Sequence, residues 1–157
     1  MIWKIGKLQA VFLKLYRMID KKKFVKKLSI TQGRHLGIIN QRIQIFPEKN
    51  WQKELQLFNL TKLKFIEWVV SIDNLNKNPI CQIDGYKIIK KCLRKNKIKC
   101  RSVDLDFVVK ENPLEFSNKK MNNFIKKIEI ISLNAVQIGI KHLIFPFLEN
   151  SRPNTII

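Results

Sequence analysis

Apolar residues recur along this chain with two different periods. Within 1–27, Ile2, Ile5, Leu8, Phe12, Leu15 and Ile19 return every three or four positions, while Lys4, Lys7, Lys14 and Arg17 fall largely elsewhere. That spacing predicts a basic amphipathic helix. From 28 onward, short apolar runs alternate with helical patterns. Strands are expected over 28–33, 65–70, 100–109 and 142–147, and helices over 48–60, 85–95 and 117–136. The first of these helices repeats Trp51, Leu55 and Phe58 on one side, and the run over 65–70 is apolar except for Glu67. A near-continuous apolar run is the signature of a strand buried on both faces. Gly37 and Pro47 mark one loop, Asn74, Asn76, Asn78 and Pro79 another, and Gly139 stands where a helix end favours positive φ.

The order βαβαβαβ implies right-handed crossovers and a parallel sheet. A doubly wound sheet and a partial barrel share it, so periodicity leaves both open. At 157 residues the chain suits one domain, whereas a closed eight-stranded barrel typically needs ~250 residues.

Charge changes this picture less than its size suggests. Thirty-one Lys and Arg against 12 acids give a formal charge of +19, an excess that ordinarily points to anionic partners. Lys, Ile and Asn, however, supply 63 of the 157 residues, and their codons are the richest in A and T. Base composition alone accounts for such a bias, and runs such as 21–23 read as solvated helix faces. No specific nucleic-acid partner is expected. The segment 1–27 carries nine basic residues and one acid; it reads as a surface-packed or dispensable extension, and a membrane partner is not expected.

Cys81, Cys92 and Cys100 form no C-x-x-C pair, and His35 and His142 do not make an H-E-x-x-H motif. Neither a disulfide framework nor a local histidine metal site follows, so a cytoplasmic location is expected. No apolar run approaches the ~20 residues that span a bilayer.

In parallel α/β proteins, ligands collect at the carboxyl ends of the strands. The residues expected there are Gln32 and Arg34, Glu67 and Trp68, Asp104 and Asp106, and Glu149 with Asn150. On the third strand, alternation sends Val103, Leu105 and Phe107 one way and Ser102, Asp104 and Asp106 the other. Of these acids Asp106 is the better ligand-facing candidate, and Asp104 reads as an internal hydrogen-bond partner. Glu67 serves equally as an ion-pair partner for a neighbouring cation, and Trp68 reads first as core packing against a helix. Arg34 offers a planar fork for a phosphate. The candidate ligand contacts are therefore Gln32, Arg34, Glu67, Trp68, Asp106 and Glu149. His142 reads as structural, and His35 has no assignable role.

The phrases SITQGR at 29–34, RIQIFPEKNWQKEL at 42–55, LKFIEWVVSID at 63–73, NPI at 78–80, IKCRSVDLDF at 98–107 and GIKHLIFPFLENS at 139–151 occur in order. Together they resemble the opening of sugar phosphate isomerase/epimerase proteins with a xylose isomerase-like TIM barrel. The resemblance implies an α/β fold: a partial (β/α)8 barrel of about four parallel strands over 28–157, preceded by the helix of 1–27. It implies a sugar or sugar phosphate as substrate and, for the full-length family, a divalent metal that polarises the substrate while carboxylates move a proton next to a carbonyl. Family metal ligands and paired catalytic glutamates come from strands five to eight, and the chain stops near the expected fifth strand. No metal is expected for this chain alone, its catalytic residues stay unassigned, and the expectation is a truncated protein inactive by itself. Two alternatives stand beside it. One is a half-barrel subunit that gains activity by self-association or by pairing with a complementary half. The other is a non-enzymatic basic protein that binds RNA or an anionic membrane surface through 21–27 and 87–99.

Overall fold

The computed structural model describes residues 28–36, 44–61 and 63–148. The expected helix of 1–27 and the candidate Glu149 lie outside the described residues. Four strands, β1 (Ser29–Thr31), β2 (Phe65–Val69), β3 (Lys99–Asp104) and β4 (His142–Ile144), form one sheet. The α-helices are α1 (Trp51–Leu57), α2 (Tyr86–Lys95), the short α3 (Phe107–Lys110) and α4 (Asn118–Ile138).

All three strand pairings are parallel, and the strands lie in the order β1-β2-β3-β4. A doubly wound sheet reverses its strand order at a switch point; these four strands do not. Right-handed crossovers that always step the same way put their helices on the same side of the sheet. The core agrees. Ile66, Trp68, Cys100 and Val103 from the strands form one buried cluster with Leu55, Phe58, Ile89, Leu93, Ile131 and Ala135 from the helices. The register places Thr31, Glu67, Ser102 and His142 in one row across the sheet.

Where elements stop has local causes. At the end of β1, Gly33 takes φ +95, and a Cβ there would lie 2.4 Å from the Ile45 carbonyl oxygen. Only glycine lets the incoming loop cross so close. Gly139 ends α4 in the left-handed conformation expected of it, its N–H shared between the Ala135 and Val136 carbonyls at 3.0 Å each. Helix α1 begins at Trp51 and tightens into a 3-10 turn, Phe58–Leu60, inside the expected span 48–60.

The expected third strand, 100–109, is overturned beyond Asp104. The Phe107 N–H turns back to the Val70 carbonyl at 3.0 Å and starts α3, so Phe107 and Val108 are buried in a helical turn. Asp106 consequently leaves the strand: it precedes that turn with φ −51 and ψ −27. β4 ends at Ile144, short of the expected 147, ahead of Pro146, a residue without the N–H a ladder requires.

Candidate polar site at the carboxyl ends of the strands

Glu67 organises the sheet face that points away from the helices. One carboxylate oxygen accepts from the Thr31 hydroxyl at 3.2 Å and the other from the Ser102 hydroxyl at 2.7 Å. Three adjacent strands are thus tied by one half-buried acid. Period-two alternation puts Thr31, Glu67 and Ser102 on this face, and the parallel register lines them up. The ion-pair role weighed for Glu67 is taken instead by these two hydroxyls.

Asp104 stands at the end of β3. Its Oδ2 accepts from Gln44 Nε2 at 2.6 Å, and Gln44 Oε1 accepts from Arg34 Nη2 at 3.2 Å. Arg34, Gln44 and Asp104 therefore form a chain from the exposed loop after β1 to the sheet. Asp104 Oδ1 is buried and finds no partner among the described residues. Burial, then the negative charges of Asp106 and Glu67, push the Asp104 carboxyl up to about 6, against the lowering effect of the Gln44 bond. A carboxyl near 6 exchanges its proton readily at neutral pH. Asp106, expected to face a ligand from the strand, contributes here as a neighbouring charge.

Gln32 and Trp68 take other places. Gln32 is fully buried, and its Oε1 accepts from the Val69 N–H at 3.2 Å, which continues the β1–β2 pairing; its Nε2 lacks a partner among the described residues. Trp68 lies on the helix side, fully buried between Phe46 and Trp51 at ring distances of 5.8 and 5.5 Å. Read above first as core packing and also named among the candidate contacts, it is core packing, because period two sends the residue after Glu67 to the opposite face. His142 is exposed at the start of β4, level with Ser102 and two residues before the Asp104 row. His35 packs edge-on against Phe58 at 4.5 Å, and burial lowers its pKa.

Beneath the site lies an acid that sequence reading passed over. Glu54 on α1 is fully buried, and its Oε1 accepts from the Gly33 N–H at 2.6 Å. Burial raises its pKa to about 7, against the lowering effect of backbone bonds from Gly33 and His35. The signal was available: Glu54 falls between Trp51 and Phe58 on the apolar stripe of α1. Gln44 carried no such signal, because no periodicity marks a loop residue.

A raised carboxyl pKa means that the folded protein holds the proton more tightly than the unfolded chain, so Glu54 favours folding more as pH falls from about 7 towards its ordinary value of 4.5. Glu54→Gln is expected to flatten the pH dependence of unfolding free energy between those limits. Urea titrations of both proteins across that range check this; parallel curves would contradict it.

Cys81 is half-buried and Cys100 buried, both with thiols pushed up to about 12, and burial also raises Cys92, so none is an activated nucleophile. Among the described residues no group of three or more His, Cys, Asp or Glu is placed to hold a metal ion. Among the same residues no helix is long and apolar enough to cross a membrane. Comparison with family models, with curated proteins and with solved structures gives no match.

Proposed function

We propose that this chain is the first half of a (β/α)8 barrel of the sugar phosphate isomerase/epimerase kind, and that its carboxyl-end face grips a sugar or sugar phosphate. The observation that carries this reading is the unreversed order β1-β2-β3-β4, with a polar row centred on Glu67 on the face away from the helices. In a barrel that face becomes the interior, and the strand ends become the substrate floor. Glu67 and Asp104 are suited to accept sugar hydroxyls, and Arg34 to meet a phosphate.

Moving a proton next to a carbonyl calls for acid and base groups on more than one side of the substrate. Asp104, at about 6, suits one of these roles. The other wall must come from further strands, because β1 and β4 each have one edge without a strand partner among the described residues. Exposed edges of this kind recruit strands. A complementary half is the better-suited partner and a second copy the alternative. The family's divalent metal belongs to that other wall. Free cysteines fit a reducing, cytoplasmic setting.

Calorimetric titration of the 157-residue chain with aldoses, ketoses and their phosphates tests the reading. Binding with Kd on the order of 1 mM is expected, weakened roughly tenfold by Asp104→Asn, which removes a charge-assisted acceptor. Without its other half the chain should move no deuterium from solvent into the sugar. Absence of binding for every sugar would overturn the site, and deuterium incorporation by the chain alone would overturn the division of labour.

A further inference from the structure

At the opposite, amino-terminal end of the sheet lies a cleft of about 950 Å³, bounded by the starts of β2, β3 and β4, the last turns of α2 and the end of α4. Six of its thirteen lining residues are Lys or Arg, and none is acidic. The six are Lys90, Arg94, Lys97, Lys99, Arg101 and Lys141. The ion pairs among the described residues are Lys77–Glu48 and Lys87–Asp84, and neither involves a residue of the cleft. Lys90 donates to the Gln137 carbonyl at 2.9 Å and caps the end of α4.

We propose that the cleft binds single-stranded nucleic acid through its phosphodiester backbone, without sequence preference. Crowded like charges repel one another until an anion neutralises them, and the release of condensed counterions from a nucleic acid drives its binding to such a surface. Two features favour a nucleic-acid strand over a membrane or an acidic peptide. The surface is concave, with its apolar residues Leu93, Ile98 and Ile138 lining the cleft, whereas a membrane-binding face presents apolar groups outward. The Arg101 guanidinium carbon also lies 3.4 Å over the Phe65 ring centroid, giving a planar cationic platform of the type on which bases stack.

The test uses a fluorescein-labelled uridine 20-mer and anisotropy between 50 and 200 mM salt. Six phosphate contacts predict that log K falls with log salt at a slope of about −4. Reversing three exposed cleft cations, R94E/K97E/K141E, should weaken binding at least roughly tenfold and flatten the slope by about 2. K110E/K119E/K126E makes the same charge change outside the cleft and should cost much less, because a Debye length of about 10 Å screens distant charges. Equal losses from the two triple variants would overturn the proposal, as would stronger binding to phosphatidylserine vesicles that the cleft variant alone abolishes. Ultraviolet crosslinking of the unaltered chain needs no variant: crosslinks within 90–101 are expected, and crosslinks confined to 1–27 would contradict the assignment.

Discussion

Gly85→Ala is expected to destabilise this chain by about 3–5 kcal/mol, the upper range for a single overpacked site. The reason is contact and not dihedral preference, since Gly85 has ordinary helical angles, φ −59 and ψ −22. A Cβ there would sit 1.6 Å from the Pro79 carbonyl oxygen and 2.6 Å from its carbon. No side-chain rotation relieves a clash with backbone. The backbone is also held in place: Asn134 of α4 donates to the Ile80 and Gln82 carbonyls at 2.9 and 2.7 Å and accepts from the Tyr86 N–H at 3.1 Å. Pro79 and Ile80 beside it are buried. Moving Pro79 far enough to admit a methyl group breaks part of that clamp and opens the contact between α2 and α4. A loss of this size is a large fraction of a typical domain's stability and should lower Tm by roughly 10 °C or more. Thermal and urea unfolding followed by circular dichroism measure it. A change below about 1 kcal/mol, within ordinary mutational scatter, would contradict the packing described for the 79–86 loop.

The second large effect is expected at Asn78. Its fully buried side chain accepts from the Trp68 indole N–H at 2.9 Å and the Ile80 N–H at 3.3 Å, and donates to the Val69 carbonyl at 2.9 Å. One amide thus joins the β2 backbone, the central core tryptophan and the 3-10 turn Pro79–Cys81. Asn78→Ala leaves two donors and an acceptor stranded, each costing about 1–3 kcal/mol if buried unmade. Partial relaxation and entering water reduce the sum, so about 3 kcal/mol is expected. Because Trp68 packs against Phe46 and Trp51, the near-ultraviolet circular dichroism of the folded variant should also change. Unfolding free energies matching the unaltered chain, with an unchanged aromatic spectrum, would show that this amide does not hold the loop.

Much of the architecture is written in local periodicity. The pattern over 85–95 corresponds to Tyr86–Lys95, and Gly139 ends its helix in the conformation its position demands. Strand order was not legible, because apolar periodicity records which face is buried and not which neighbour is paired. The third strand ends before its apolar run does for a related reason. Val108 and Val109 have the side chains of a strand, but the tertiary bond from Phe107 N–H to Val70 turns the backbone before them. The polar face was partly legible. Glu67, Ser102 and Asp104 follow from alternation, and the same alternation turns Trp68 to the core. Gln44 is connected to Asp104 across sixty residues, a contact no local pattern encodes.

The sheet face bearing Glu67 and Asp104 is proposed as a sugar-binding floor. Its most direct test is a residue-resolved ¹H–¹⁵N chemical-shift map of the chain during titration with a ketose phosphate. The largest shifts are expected on Thr31, Gln44, Glu67, Ser102 and Asp104. Shifts confined to the basic cleft around Arg94 and Lys99, or the same map from inorganic phosphate alone, would contradict it.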